Sequence, residues 1–249
     1  MRNIVLKLEY DGSYFHGWQS QINASAVQDL VVTALSQLEG KPVKITGASR
    51  TDAGVHALGQ AANFLTESKI PADKYAFALN TLLPKGISCV GSHEVPFDFH
   101  ARFSAIGKRY SYKILNRRLP SALLEDRVWH VPVKLELEKM RQAALLFVGE
   151  KDFKGFMSAG SPVLSTVRTI WDLEVVLMDD DIVRITIQGN GFLYNMVRII
   201  TGTLVYVGLG KLSFDEVERV LLSGQRKDAG KTAPPQGLYL EKVFYDVRI

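Results

Sequence analysis

The densest run of polar and turn-forming residues in this chain is Gly47-Ala48-Ser49-Arg50-Thr51-Asp52-Ala53-Gly54-Val55-His56. Glycines at 47 and 54 permit tight or left-handed backbone. A loop slung between two strands is also where a scaffold tends to hold reactive side chains. Arg50 and Asp52 are two apart, so on an extended segment they point the same way, and a guanidinium beside a carboxylate favours its charged form. A charged aspartate can serve as nucleophile or general base. The same residues also make an ordinary turn whose aspartate accepts backbone hydrogen bonds, and residue types alone favour that plainer reading. Other chemistries find less support. His16, His56, His93, His100 and His130 are scattered, with no metal-ligand spacing. The single cysteine, Cys89, can build neither an internal disulfide nor a zinc site alone, and in Gly86-Ile87-Ser88-Cys89-Val90 it reads as a buried small hydrophobe on a strand. No phosphate-cradling or dinucleotide-binding glycine motif is present.

The elements that must position this loop follow from periodicity. Asn3 to Tyr10 alternates Ile4, Leu6, Leu8 and Tyr10 against Val5, Lys7 and Glu9, the pattern of a half-buried strand. A helix is predicted over 25–38, with Val27, Leu30, Val31, Ala34, Leu35 and Leu38 on one face, a Ser25/Gln28 capping box and Gly40 as its stop. A short strand (43–46), the polar loop, and a strand at 57–65 come next. Pro71 opens a second helix to about 82, and 87–95 is a strand. The order β-α-β-β-α-β is that of a ferredoxin-like unit.

The second half repeats the scheme loosely. Strands are expected at 109–116, with Tyr110, Tyr112 and Ile114 on one side, and more weakly at 128–131. A helix spans 135–148. Strands at 167–178 and 182–188 form a hairpin around Asp179-Asp180-Asp181. Helices follow at 194–207 and 213–222, the latter with a Ser213/Glu216 capping box, and a strand closes at 238–247. The expected class is α+β: two ferredoxin-like (RRM-like) β-α-β halves form a mostly antiparallel sheet, with helices on one face and a central active-site cleft. The boundary falls near 103–108, giving an N-terminal subdomain over residues 1–105 and a C-terminal subdomain over residues 106–249.

The chain has 249 residues, 47% of them hydrophobic, which supplies a sizeable core. It has no run of about 18 apolar residues that would cross a membrane and no signal-peptide pattern at its start, so a cytoplasmic protein is expected. The net charge is +4. Residues 1–105 carry 9 basic and 9 acidic side chains, whereas 106–249 carry 21 and 17. Five of those bases, Lys108, Arg109, Lys113, Arg117 and Arg118, fall close together; alone they read as a solvated edge strand more readily than as a phosphate-contacting strip.

Eight ordered segments change the weight of the polar loop. Ser49-Arg50-Thr51-Asp52-Ala53-Gly54-Val55-His56 resembles the G-R-T-D-A-G-V-H loop of the bacterial tRNA pseudouridine synthase A family, with Ser49 where glycine is frequent. Tyr10-Asp11-Gly12-Ser13-Tyr14-Phe15-His16-Gly17-Trp18-Gln19 resembles the family's opening motif. Asp98-Phe99-His100-Ala101-Arg102-Phe103-Ser104-Ala105 and Lys108-Arg109-Tyr110-Ser111-Tyr112 follow. After them come Asp152-Phe153, Val167-Arg168-Thr169-Ile170, Gly191-Phe192-Leu193-Tyr194-Asn195-Met196-Val197-Arg198 and Gly237-Leu238-Tyr239-Leu240, all in family order.

The resemblance implies an isomerase that breaks the N1–C1′ bond of uridine, turns the base and rejoins it through C5, without cofactor or metal. It implies Asp52 as the catalytic residue, Tyr110 stacking on the target base, Arg198 paired with Asp52, Leu240 packed near the base, and Arg50 and Arg102 contacting RNA. It further implies uridines 38, 39 and 40 of the tRNA anticodon stem-loop as targets, and a homodimer. Arg168 is expected at the rim or in a structural role, and Phe15 and Trp18 in packing of the loop after the first strand. Leu164 stands where relatives usually carry a basic residue, which removes one RNA contact. Two rivals remain: a non-catalytic RNA-binding protein on an RRM-like framework, which lacks the aromatic motifs of such modules here, and a small-molecule hydrolase, for which only His56 could partner Asp52.

Overall fold

The apolar residues at every second position of the first strand set the inner layer of the fold, although Asn3 and Val5 at the alternate positions are buried too. Ile4, Leu6, Leu8 and Tyr10 are all buried, and their cross-strand partners Phe64, Ala62, Gln60 and Ala57 form the same face. Phe64 meets the ring of Tyr75 edge-on at 5.3 Å, so this is the face that the helices cover.

The computed structural model describes residues 1–22, 24–160, 163–179 and 181–247. In chain order its elements are β1 (Arg2–Tyr10), α1 (Val27–Glu39), β2 (Thr46–Gly47), β3 (His56–Thr66), α2 (Tyr75–Asn80), β4 (Ile87–Val95), β5 (Gly107–Leu115), β6 (Trp129–His130), α3 (Leu137–Leu145), β7 (Gly149–Asp152), β8 (Val167–Leu177), β9 (Ile182–Gly189), α4 (Met196–Gly208), α5 (Phe214–Ser223) and β10 (Leu238–Phe244). The class is α+β, as expected, and the first six elements follow the β-α-β-β-α-β order. No helix among the described residues is long and apolar enough to cross a membrane.

The chain divides into two units, Met1–Gly107 with Tyr239–Ile249, and Lys108–Leu238. This corrects the expected division into 1–105 and 106–249 at its far end: the closing strand belongs to the first unit. The reason is a pairing that no local pattern announces. β10 runs parallel to β3, with Tyr239 opposite His56 and Leu240 opposite Ala57. In this unit β1 lies between β4 and β3, antiparallel to both. β2 and β10 share the other edge of β3 at different heights, β2 pairing with Asn63 and Ala62.

In the second unit β9 pairs antiparallel with β5 and β8, β8 pairs antiparallel with β7, and the two-residue β6 runs parallel to β5. Val183, Ile185 and Ile187 alternate inward along β9, as do Tyr110, Tyr112 and Ile114 along β5. α4 is buried on almost every side; among its neighbours is α3, whose Met140 sulfur lies against Gly208. The Nε of Arg141 on α3 donates to the Val175 carbonyl of β8 at 3.0 Å. In the β8–β9 turn Asp181 takes a positive φ of 60°, while Asp180 of the expected turn lies outside the described residues.

Two expected details of the helices meet different fates. The Ser213/Glu216 capping box of α5 is present, with both reciprocal bonds made. The Ser25/Gln28 box of α1 is not. That helix starts after Ala26, with no side-chain cap. Its first N–H groups donate to main-chain carbonyls instead, Val27 to Gly17 at 3.1 Å and Gln28 to Trp18 at 3.0 Å. Orphan helix donors need a partner of some kind, and here the loop after β1 supplies it.

Candidate active site

The 47–56 loop is held by the chain segment that follows β1. The N–H of Trp18 donates to the Thr51 carbonyl at 3.1 Å, and the N–H of Gly54 donates to the Phe15 carbonyl at 3.4 Å. Inside the loop Val55 N–H closes onto the Asp52 carbonyl at 3.1 Å, and Gly54 takes φ 78°. The Tyr10 hydroxyl, at the end of β1, bonds the Thr51 hydroxyl at 2.7 Å. On the incoming side, Gln60 of β3 clasps Ser49 from both ends, its Oε1 taking the Ser49 N–H at 3.2 Å and its Nε2 donating to the Ser49 carbonyl at 2.6 Å. Phe15 and Trp18, in the loop after the first strand, are buried, and the Trp18 ring stacks near Tyr10 at 6.3 Å and 29°.

Gly17 explains why the two segments can approach so closely. It sits at φ 90°, and a Cβ there would lie 2.5 Å from the Thr51 carbonyl oxygen and 3.1 Å from the Asp52 carbonyl carbon. A backbone contact of that kind has no slack, so only glycine fits. Asp52 is thereby fixed through main-chain atoms on both sides, while it remains partly open to solvent.

His56, four residues on, is buried and stacked on Tyr239 at 4.6 Å and 17°. Its Nδ1 accepts the Gly12 N–H at 3.0 Å. A nitrogen that accepts that bond carries no proton, so the 3.3 Å approach of Asp11 Oδ1 to the same atom is no ordinary ion pair. His56 thus ties the Asp11–Gly12 turn to β3, a positioning duty at odds with the role of proton acceptor beside Asp52.

The other expected residues divide between the two units. Leu240 is fully buried on β10, beside the start of β3 and in the same unit as Asp52. Arg50 and Arg102 belong to this unit too, and both are exposed. Arg50 makes no hydrogen bond or ion pair among the described residues. Arg50 and Asp52 lie two apart in a loop that is not a regular strand. Arg102 holds its guanidinium 5.7 Å over the Phe103 ring, and Phe103, 77% exposed, stacks on His100 at 4.3 Å. His100 is oriented by main-chain N–H groups of Arg102 and Phe103, both donating to its Nδ1 at 3.2 Å.

Tyr110 and Arg198 stand in the second unit. Tyr110 is buried on β5, and the ring of Phe192 meets it edge-on at 5.4 Å. Arg198, half-buried in α4, donates from Nε to the Ala233 carbonyl at 2.7 Å and from Nη1 to Asn195 Oδ1 at 2.8 Å. Neither Phe192 nor Asn195 stands out by type or spacing; only their place in the segment ending at Arg198 points to them. Arg168 bonds the Ser165 and Val167 carbonyls, a structural role, and burial lowers its pKa.

The cluster of five bases is only partly available to a polyanion. Arg117 is turned onto the carbonyls of Leu119 and Pro120, and Arg109 donates to Gln188, which in turn donates to Asp172. Leu164 is fully exposed; its neighbours Ser161 and Pro162 lie outside the described residues. Cys89 is buried, and burial pushes its thiol up to about 11, which disfavours the thiolate and fits the inert role.

Comparison with known proteins identifies the family. The family described as tRNA pseudouridine synthase matches residues 8–104 and 143–246. The tRNA pseudouridine synthase A of Acetivibrio thermocellus is 53% identical over 98% of this chain and 100% of its own length. The enzymes of the same name from Ruminiclostridium cellulolyticum and Caldicellulosiruptor saccharolyticus are 52% and 46% identical over the same shares. Among solved structures, a Cbf5-Nop10-Gar1 complex aligns over 95% of this chain at TM-score 0.39 and 13% identity; this chain spans 51% of that one.

Proposed function

Because the chain belongs to the tRNA pseudouridine synthase family, we propose that it isomerises uridine to pseudouridine at positions 38, 39 and 40 of the tRNA anticodon stem-loop, with Asp52 as its catalytic residue. The observation that carries this reading is the way Asp52 is held: main-chain bonds and the Gly17 approach fix its loop, while the residue is only partly buried. A group that must meet a reacting nucleoside needs both features.

The reaction conserves every heavy atom. The N1–C1′ bond breaks, the uracil turns, C5 joins C1′, and the hydrogen on C5 leaves as a proton while N1 ends protonated. No electron acceptor is called for. Asp52 acts on the nucleoside as nucleophile, at C1′ or C6, or as base. Tyr110 offers an aromatic face to a flipped pyrimidine, Arg198 pairs with Asp52, and Leu240 supplies an apolar wall. Arg50 and Arg102 hold phosphates, contacts that position RNA without reading bases. The enzyme works in the cytoplasm as a homodimer, with each tRNA bridging both subunits. A pure RNA-binding role gives no reason for the close clasp around Asp52, and the hydrolase reading, with Asp52 as base, loses its expected partner because His56 Nδ1 already accepts the Gly12 N–H.

Unmodified tRNA tritiated at uracil C5 tests the proposal, since forming the new C–C bond expels that hydrogen. The native chain should release tritium to water, and Asp52→Asn should release it about a thousandfold more slowly or not at all while still binding tRNA. Tight binding without release by the native chain would return the protein to the RNA-binding class.

A further inference from the structure

We propose that Asn195 is a positioning residue that sets the plane of the Arg198 guanidinium, an inference that rests on Arg198 serving the reaction. Asn195 precedes α4 in the left-handed conformation, at φ 60° and ψ 6°. Together with Asp181 it is one of two non-glycine residues with positive φ among those described. Most side chains disfavour such a conformation; asparagine tolerates it better than most, and glycine takes it without strain. The usual reason for asparagine at a helix start is its side-chain oxygen accepting an N–H of the first turn. That bond is absent here.

The carboxamide is used otherwise. Its Oδ1 accepts from Arg198 Nη1 at 2.8 Å, and its Nδ2 donates to Ser158 Oγ at 3.0 Å. The amide orientation follows from chemistry, because a guanidinium only donates and the oxygen must therefore face it. Ser158 is itself anchored, its N–H bonding the Tyr194 carbonyl at 3.1 Å. Arg198 Nε meanwhile donates to the Ala233 carbonyl at 2.7 Å, and the Ala233 N–H returns to the Arg198 carbonyl at 3.0 Å. Two bonds from different nitrogens, to acceptors on different segments, fix a planar group against both tilt and rotation. Asn195 therefore stands at the helix start with its side chain bonded to the arginine and not to the helix.

The test uses tritium release from C5-labelled tRNA, with kcat and KM measured for wild type, Asn195→Gly, Asn195→Asp, Arg198→Ala and the double variant Asn195→Gly/Arg198→Ala. Glycine takes the left-handed conformation without strain, so Asn195→Gly removes the side chain and leaves the backbone at ease. Its kcat should fall about tenfold, with KM within about twofold and an unchanged thermal midpoint. Asn195→Asp keeps the acceptor and should recover most of the rate. The double variant should be no slower than Arg198→Ala, because residues acting through one group are not additive. Wild-type kcat in Asn195→Gly, rate losses that multiply in the double variant, or a loss that tracks a lowered midpoint would each overturn the proposal. Full activity in Arg198→Ala would overturn it by removing the role of the arginine, and absence of release by the wild type would instead sink the isomerase reading beneath it.

Discussion

Asp52 and Arg198 are fixed by opposite means. Around Asp52 the work is done by main chain: carbonyls of Thr51 and Phe15 take N–H groups across the contact, and Gly17 lets the two backbones touch. Around Arg198 it is done by a side-chain bond to Asn195 and a reach to the Ala233 carbonyl. A main-chain clasp depends on few side chains but tolerates no added atom at its closest approach. A side-chain clasp can be loosened one bond at a time. The difference teaches where each side chain's placement is vulnerable: the aspartate at glycines, the arginine at polar residues.

Three variants sharpen or break that contrast. Gly17→Ala should have the largest effect. Its Cβ would press on the Thr51 carbonyl at a φ that alanine disfavours, so a loss of about 2–4 kcal/mol in urea unfolding and a collapse of turnover are expected together. A Gly17→Ala protein of native stability and full rate would show that the clasp has slack after all. Tyr10→Phe removes the side-chain bond to the Thr51 hydroxyl and should cost about 1 kcal/mol, with turnover reduced only a fewfold because the main-chain bonds remain. A loss of turnover as deep as that of Asp52→Asn would mean that the loop depends on side chains more than its geometry implies. Ser213→Ala is the smallest step. It opens the capping box of α5, should lower stability by about 1 kcal/mol, and should leave tritium release unchanged, because that helix start touches neither clasp.

Much of this is legible in the sequence, and the failures have a common cause. β4 begins and ends where its alternation does, and the capping box of α5 is a purely local signal that the structure honours. Local pattern misplaces the start of α1 because its donors are satisfied by Gly17 and Trp18 carbonyls, which any residue could have supplied. It misses β7 altogether: Gly149-Glu150-Lys151-Asp152 has a strand former nowhere in it, and only its pairing with β8 makes it a strand. The place of β10 escapes for the same reason on a larger scale. In the site, residue types alone favour an ordinary turn around Asp52, and only the resemblance of its loop to the family's singles it out. The partners that hold it, and the conformation of Asn195, are properties of backbone geometry and leave no mark in composition or spacing.

The parallel pairing of β10 with β3 also bears on the order in which the molecule can be made. His56 and Tyr239 are 239 − 56 = 183 positions apart, and the whole second unit lies between them. On a ribosome the first unit emerges with one edge of β3 incomplete, and it must wait while the second is synthesised before Leu240 can take its place beside Ala57. A contact of such sequence separation is slow to form. The buried leucine therefore arrives only after the whole second unit, so the edge of β3 that flanks the 47–56 loop cannot be completed until that unit has been translated.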